Sequence, residues 1–322
     1  MDLTIGHEVY RFRLRCIEPM RLPPYKGSAL RGVFGHAFKD VVCALRREEC
    51  RTCLVRASCT YQRVFETRVA PHAGPRPGVD AAPHPYLFGV DRDGRTEYAE
   101  GDQLAFTLTL LGPALGILPY LVYAFQEVGR RGLTPARKPL ALHAVEALGA
   151  EGWRGVYAEG AGSLAETRVP APPPEVPDLS RGAVVHLETP LRLQERGALV
   201  RDPGFGTLFL AARRRFGLLA RYYGNGEPPF DRGLLEASRQ IPTIRSELRW
   251  HDWTRYSNRQ KTTMQLGGLV GELAFAGDLA PFAPWLAWAE RLHLGKATSF
   301  GLGAVRVVPA AAANPPLEGK TP

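Results

Sequence analysis

The segment Leu292–Gly303, LHLGKATSFGLG, precedes the alternating segment Ala304–Val308 and decides how the C-terminal part of the chain is interpreted. An apolar helical run ends there, glycines follow, and Lys296, Thr298 and Ser299 add hydrogen-bond donors. Glycine removes side chains that would keep a polyanion at a distance, and lysine adds a full positive charge. The segment therefore predicts a phosphate-binding loop between a helix and a strand. A tight turn in which glycine serves only the backbone is the alternative.

The composition favours a polyanionic partner. The chain has 322 residues, with 41 Lys and Arg against 32 Asp and Glu, and a net charge of +9. Arginine binds phosphate through two hydrogen bonds and stacks on bases, although many basic proteins share this bulk composition. The length and the 45% hydrophobic content suit two domains. No apolar run approaches the roughly 20 residues that cross a bilayer. The N-terminus does not resemble a signal peptide, so we expect a cytoplasmic protein without a membrane partner.

Four of the five cysteines lie close together in the sequence. Cys43, Cys50, Cys53 and Cys59 have the spacing C-x6-C-x2-C-x5-C, by which helix-hairpin-helix DNA glycosylases hold a four-iron four-sulfur cluster. Four thiolates on a short basic loop repel one another unless a cation or cluster neutralises them. The pattern therefore predicts a structural metal, either a four-iron four-sulfur cluster or zinc, and does not choose between them. Cys16 lies on the apolar face of a strand and is expected in the core.

The first half of the chain alternates strand and helix patterns. Val9–Cys16 is a strand with three arginines on one face, which suits either a nucleic-acid backbone or solvent. Lys26–Val42 is a helix with Ser28 as its cap and His36 outside its apolar stripe. Further strands are predicted at Tyr86–Val90, Leu104–Leu110 and Leu140–Leu148, with a helix at Leu115–Arg131. This order is that of a ferredoxin-like sandwich.

A proline-rich run at Pro170–Asp178 divides the chain. It is predicted to link an N-terminal domain, residues 1–169, to a C-terminal domain, residues 179–309, with a disordered tail at 310–322. The strand and helix order then restarts with strand Ala183–Leu191, helix Phe205–Tyr223, a hairpin of Ile244–Tyr256 with Gln265–Phe275, helix Trp285–Leu294 and a last strand. The sequence predicts an α+β protein of two tandem ferredoxin-like, RRM-like domains, with the cysteine-rich loop 43–59 inserted in the first. The GFGT motif lacks the third glycine of a dinucleotide fingerprint, so no dinucleotide cofactor is expected.

Two segments resemble a known family. WHDWTRYSNRQKTTMQLGGLVGELAFAGDL and PFAPWLAWAERLHLGKATSFGLG are similar to the C-terminal region of the CRISPR-associated endoribonucleases that cut precursor CRISPR RNA within its repeats, the Cas-six branch of the RAMP superfamily. The similarity is strong over Arg245–Val307 and weaker over PPYKGSALRGVFGHAF near the N-terminus. The family loop is Gly-hydrophobic-Gly, five residues, then Gly-hydrophobic-Gly. Here His293 occupies the first glycine position.

The resemblance implies two RAMP domains, with RNA running over the cleft and basic surfaces between them. It also implies metal-independent cleavage, in which the ribose 2'-OH attacks the adjacent phosphorus and leaves a 2',3'-cyclic phosphate and a 5'-OH. Such cleavage needs a base, an acid and a cation, and no cofactor. Many members use a histidine on the first helix, a placement that His36 matches. Lys39 or Lys26 would supply the cation, and Tyr25 would position the ribose or act as a weaker acid.

The residues expected to bind RNA lie at the start of the first helix, in the predicted hairpin and in the glycine-rich segment. They are Lys26, Arg31, Arg255, Arg259, Lys261, Gly295, Lys296, Thr298, Ser299, Gly301 and Gly303. In the hairpin, Trp250, Trp253 and Tyr256 alternate with the charges, a combination that single-stranded RNA uses.

Two other functions stay open from the sequence. A non-catalytic RAMP subunit, bound to guide RNA in a CRISPR effector complex, would keep the fold, the charge and the glycine-rich segment without proton-transfer residues. A redox-sensing protein built around the cysteines would be coloured and would have no preference for RNA. CRISPR repeat RNA is the expected partner of the enzyme, and an effector complex is a second expected partner.

Overall fold

The computed structural model describes residues 3–310, except 47–48, 51, 68–81, 91–92, 196, 253, 258–261 and 266. The predicted tail therefore lies outside the described residues from residue 311 onward. The chain forms two compact units. The first comprises Met1–Pro173, Phe216–Pro228 and Ala297–Leu302, and the second comprises Pro174–Arg215, Pro229–Lys296 and Gly303–Pro322. Two segments C-terminal to the predicted linker thus belong to the first unit, and one of them is the middle of the glycine-rich segment.

The first unit is built on a five-stranded antiparallel sheet. Its elements are β1 (His7–Cys16), β2 (Met20–Arg21), α1 (Gly27–Val42), β3 (Tyr86–Val90), β4 (Glu97–Tyr98), β5 (Gln103–Leu111), α2 (Leu118–Arg131), β6 (Leu140–Gly149) and β7 (Gly152–Ala158). The strands lie in the order β3-β5-β1-β6-β7, and β2 pairs separately with β4. Without the edge strand β7, the order of strands and helices is that of the predicted ferredoxin-like sandwich.

Aromatic rings join the helices of this unit to its sheet. Phe34 of α1 stacks on Phe125 of α2, with ring centroids 5.2 Å apart, and Phe12 of β1 stacks on Phe106 of β5 at 5.4 Å. Phe12 and Phe125 lie 4.8 Å apart and connect the two pairs. Each such pair adds about 0.5–1.5 kcal/mol to the stabilisation from burial alone. The apolar stripe of α1 is thereby fixed against α2, and through Phe88 against β3. His36 lies outside this stripe and is exposed, as predicted.

The first turn of α1 differs from the prediction. The helix begins at Gly27, and the residue before it, Lys26, already has a helical backbone and forms no side-chain cap. Ser28, the predicted cap, lies inside the helix. The physical reason is that Lys26 is buried and donates to Asp93 at 2.7 Å, so this ion pair holds the start of the helix.

The arginine face of β1 is partly neutralised. Arg11 and Arg13 lie 3.5 Å and 3.0 Å from Glu146 of β6, and Arg15 lies 2.9 Å from Glu159. Two carboxylates therefore face three guanidinium groups, which lowers the positive charge that the sequence offered to a nucleic-acid backbone on this face.

The second unit repeats the same strand order. Its elements are β8 (Ala183–Leu191), β9 (Gln194–Glu195), β10 (Ala198–Leu199), α3 (Phe205–Tyr223), α4 (Arg232–Gln240), β11 (Thr243–His251), β12 (Thr254–Ser257), β13 (Thr262–Gln265), β14 (Gly268–Phe275), α5 (Ala283–Leu292) and β15 (Val305–Pro309). The sheet order is β11-β14-β8-β15, and residues of α3 from Phe216 onward belong to the first unit. The element order and the sheet order correspond to a second ferredoxin-like sandwich.

The predicted hairpin is confirmed. It consists of two ladders in one register: β11 pairs with β14 as far as His251 opposite Gly268, and β12 pairs with β13 from Thr254 opposite Gln265. Helix α4 was missed, although its start carries a recognisable signal: Asp231 caps it by accepting a hydrogen bond from the Leu234 amide at 2.8 Å. In the described part of the chain, no helix combines the length and the apolar character needed to cross a membrane.

A buried carboxylate anchors the end of the first unit's sheet. Glu8 is 1% exposed, and it accepts hydrogen bonds from the Tyr10 hydroxyl at 3.0 Å and from Arg168 Nε at 3.1 Å. The Gly116 amide donates to the same carboxylate. Burial, together with the nearby Glu8 charge, raises the pKa of Tyr10, so its hydroxyl stays protonated and donates. Three distant segments thus converge on one charge.

We predict that Glu8→Ala lowers the free energy of unfolding by about 3 kcal/mol, because it leaves buried donors without an acceptor. Urea unfolding followed by circular dichroism measures this loss. The control is Glu166→Ala, which removes the exposed pair with Arg154 and should cost less than about 1 kcal/mol. Equal losses in the two variants would contradict the anchoring role of Glu8.

Candidate nucleic-acid interface

The glycine-rich loop, defined here as residues 293–303, connects α5 to β15. It begins at His293, which stands where the resembled loop pattern has its first glycine. His293 is buried and has a φ of +57°. Glycine adopts this conformation freely, whereas another residue there costs about 1–3 kcal/mol. The loop therefore keeps a glycine-like backbone at this position despite the substitution.

The loop packs closely against the residues that begin α1. The Tyr25 hydroxyl donates a hydrogen bond to the Phe300 carbonyl at 2.6 Å. A Cβ atom on Gly27 would collide with that same carbonyl oxygen. A Cβ on Gly301 would lie 2.8 Å from the Tyr25 hydroxyl and 3.0 Å from the Phe88 carbonyl of β3. Glycine at 27 and 301 is thus required for this approach.

Most of the glycine-rich loop is closed, which differs from the expected cradle of bare amides. The amides that donate to carbonyls of the protein include those of Lys296, Phe300, Gly301 and Gly303. Thr298 and Ser299 are 7% and 6% exposed. Because glycine lets the loop pack on neighbouring backbone, its amides are used within the fold. Gly295 and Lys296 are exposed, so they are the part of the loop that can meet a phosphate.

Lys26 is enclosed rather than presented to a ligand. Its side chain is 2% exposed, and its ammonium lies 2.7 Å from Asp93 and 5.7 Å from the Tyr98 ring centroid. The hydrogen bond from Lys26 lowers the pKa of Asp93. Lys26 was predicted as an RNA contact or a catalytic cation. In the structure its ammonium instead forms an ion pair inside the fold.

Arg31 joins α1 to the glycine-rich loop. Its guanidinium lies 5.2 Å from the ring centroid of Phe300 in the loop and 4.7 Å from that of Phe65. Such cation–π contacts contribute about 0.5–2 kcal/mol each, depending on desolvation. Arg31 is only partly buried. It therefore adds positive charge beside the loop while holding Phe300 in place.

The three predicted catalytic residues do not converge. Tyr25 precedes α1 and contacts the loop, whereas His36 is nine residues past Gly27, about 14 Å along the helix axis at 1.5 Å per residue. Lys39 follows on the next turn, half-buried, with its ammonium 5.9 Å from the Tyr61 ring centroid. His36 and Lys39 are neighbours on one helix face. Tyr25 belongs with the loop.

The predicted hairpin contributes fewer described contacts. Arg255 lies on β12 opposite Met264, while Trp253, Arg259 and Lys261 lie outside the described residues. Trp250 donates its indole hydrogen to Asp252 at 2.6 Å. An arginine that sequence reasoning missed, Arg201, lies over the Trp250 ring at 4.7 Å. No sequence signal links these two residues, because they are far apart in the chain and only the fold brings them together.

The four clustered cysteines line one cavity of about 250 Å³. All four are free thiols of intermediate burial. Within the described ranges, no three or more His, Cys, Asp or Glu side chains are already arranged to hold a metal ion. Cys16 is in the core, as predicted, and burial raises the pKa of its thiol.

Comparison with known proteins covers nearly the whole chain. The AF_1859_N model, described as an N-terminal domain, matches residues 5–169. The model of CRISPR-associated endoribonuclease Cas6 matches residues 185–305. An uncharacterized protein of Archaeoglobus fulgidus is 24% identical over 314 residues, which is 95% of this chain and 99% of that protein.

Solved structures share the fold. A Cas6 product complex has a TM-score of 0.55 at 14% identity and covers 94% of this chain and 100% of its own. Thermus thermophilus Cas6 has a TM-score of 0.52 at 14% identity and covers 95% of this chain and 100% of its own. The first family model spans more than half of the chain, and the second spans the sheet and the glycine-rich loop of the C-terminal half. The chain therefore belongs to the family of the AF_1859_N model through its N-terminal domain, and its residues 185–305 are similar to CRISPR-associated endoribonuclease Cas6.

Proposed function

We propose that this protein cleaves precursor CRISPR RNA within its repeats and that no metal ion takes part in the reaction. The ribose 2'-OH attacks the adjacent phosphorus, the bond to the 5'-oxygen breaks, and the products carry a 2',3'-cyclic phosphate and a 5'-OH. One observation carries the proposal: residues 297–302 pack on the start of α1, the helix that also presents the exposed His36. Residues 297–302 of the loop and the proposed proton-transfer residue thereby share one support within the first unit.

His36 is the proposed proton-transfer residue. Imidazole exchanges protons near neutral pH, and the exposure of His36 leaves it accessible to an RNA strand. Lys39 lies one turn further on the same face, where its ammonium can stabilise the charge that develops on the phosphorane oxygens.

Tyr25 acts in the proposal as a positioning residue. Its hydroxyl donates its proton to the Phe300 carbonyl at 2.6 Å, so the hydrogen bond holds the loop and the hydroxyl proton is already engaged. In the second unit, RNA meets the exposed edge of the loop at Gly295 and Lys296. In the first unit, Arg31 adds positive charge beside Phe300. Trp250, with Arg201 stacked on it, offers an aromatic surface to a base.

The alternative function is a non-catalytic RAMP subunit that binds guide RNA in an effector complex. A specific observation favours it: Lys26 is committed to an ion pair and Tyr25 to a loop hydrogen bond, while His36 lies about 14 Å along the helix axis from Gly27, where α1 begins. In that case the packed loop and the basic residues would serve affinity alone.

A cleavage assay in EDTA separates these functions. Purified protein is incubated with end-labelled repeat RNA, and the product ends are analysed before and after opening of the cyclic phosphate by acid. Specific cleavage with a 2',3'-cyclic end supports the enzyme. Tight binding without cleavage supports the subunit, and cleavage that requires Mg²⁺ contradicts the metal-independent step.

We predict that His36→Ala lowers the single-turnover cleavage rate by about 10²–10⁴, the usual contribution of general acid–base catalysis. The affinity for repeat RNA should change little, because the imidazole acts on protons rather than on the phosphate charge. His143→Ala is the matched control, since His143 is an exposed histidine of β6 that pairs with Glu159. The assignment fails if both variants cleave at the rate of the unchanged protein.

We predict that Lys296→Ala weakens RNA binding and lowers the slope of log K against log salt by about 0.7, the value for one phosphate contact to a single strand. Filter binding at several salt concentrations measures both quantities. Lys138→Ala is the control, because Lys138 pairs with Glu18 at 2.7 Å. An unchanged slope for Lys296→Ala would exclude a phosphate contact at this residue.

A further inference from the structure

The cavity lined by the four clustered cysteines lies between the end of α1 and the short helical turn Gln62–Glu66 that precedes β3. Its other walls include the apolar side chains of Leu45, Val55 and Tyr61. None of the residues proposed to bind or cleave RNA lines this cavity.

Each cysteine stands where the backbone changes direction. Cys43 ends α1, with its amide bonded to the Lys39 carbonyl at 2.8 Å. Cys50 and Cys53 close one turn through the Cys53 amide and the Cys50 carbonyl, at 3.5 Å. The Cys59 carbonyl accepts the Arg63 amide at 3.1 Å, which begins the helical turn that follows. Three separate corners of the chain thus bring the four cysteines to one cavity.

The described residues of the cysteine-rich loop 43–59 bury few large apolar side chains. Leu54 is 85% exposed, and Leu45 and Val55 are 42% and 43% exposed. A short segment that buries so little apolar surface gains order most readily from a covalent or coordinate crosslink. All four cysteines are free thiols in this structure, so their sulfur atoms are available as metal ligands.

We propose that Cys43, Cys50, Cys53 and Cys59 bind a structural metal centre as four thiolates. Each thiol releases its proton as its sulfur binds the metal, so uptake releases protons and strengthens with pH. Four sulfur donors suit zinc or a four-iron four-sulfur cluster. The cavity of about 250 Å³ leaves space for the cluster, which is the larger of the two. The thiols are not yet at coordinating positions among the described residues, so binding draws these corners together.

The centre would stabilise the helix that carries His36. The turn Gln62–Glu66 follows the last cysteine, and its Phe65 packs on Phe34 and Phe38 of α1, with ring centroids 5.2 Å and 5.8 Å apart. Phe65 also contacts Arg31. Ordering the cysteine segment therefore fixes one side of α1 without placing metal at the scissile phosphate.

Metal analysis of anaerobically purified protein tests the proposal. We expect about one zinc, or about four iron atoms with matching acid-labile sulfide, per chain. Cys43→Ser and the double variant Cys50→Ser/Cys53→Ser should lose this content, whereas Cys16→Ala should keep it, because Cys16 lies in the core of the sheet. Wild-type content in the loop variants, or no metal in the wild type after reconstitution under reducing conditions, would overturn the proposal.

A second measurement avoids dependence on the folding of the variants. The wild type is stripped with a chelator and then titrated with Co²⁺ under reducing conditions. Intense thiolate-to-cobalt charge-transfer absorption supports four-sulfur ligation. Weak absorption typical of oxygen ligands would contradict it. The proposal would also be contradicted if Cys50 and Cys53 form a disulfide and the reduced protein still takes up no cobalt, zinc or iron. An iron centre is distinguished from zinc by a visible absorption band near roughly 400 nm, which bleaches when the cluster is reduced.

Discussion

The close approach of the glycine-rich loop to the first turn of α1 is the constraint on which the candidate site depends. The Phe300 carbonyl occupies the space that a side chain at residue 27 would need, and Tyr25 bonds that same oxygen. Phe34 packs α1 into the aromatic core above the sheet. The part of the loop that contacts the start of α1 is therefore held in a fixed position. A loop that contributes to binding must be held in this way, since disorder would cost affinity through lost conformational entropy.

Much of the fold could be predicted because its elements have strong periodicity. The alternation in β1 and the apolar stripes of α1 and α3 indicated the elements and their buried faces, and the strand and helix order indicated the ferredoxin-like sandwich. The start of α1 was predicted to within one residue, but the burial of Lys26 in place of a Ser28 cap could not be predicted, because a buried lysine contradicts the usual preference of its residue type. Only the fold brings Asp93 to Lys26. Helix α4 was missed because its stripe is short, although Asp231 marked its start.

The candidate site was predicted in part, and the failures have a common physical cause. The exposure of His36 follows from its position on the helix, and the clustering of cysteines around one cavity agrees with their spacing. The separation of Tyr25 from His36 and the contact of Arg201 with Trp250 depend on tertiary packing, which local patterns do not encode. The glycines were interpreted as exposing amides to phosphate. In the fold they let one backbone pack on another, which uses several of those amides internally.

Two glycines of α1 allow the most direct test of the account. An alanine Cβ at residue 27 would collide with the Phe300 carbonyl, whereas a Cβ at Gly32 on the same helix meets no atom within 4 Å. The measurement is the single-turnover cleavage of repeat RNA by Gly27→Ala and by Gly32→Ala. The account predicts a loss of about tenfold or more for Gly27→Ala, the factor expected from losing about 1.4 kcal/mol of positioning, and none for Gly32→Ala. Equal cleavage by Gly27→Ala and the unchanged protein would contradict it.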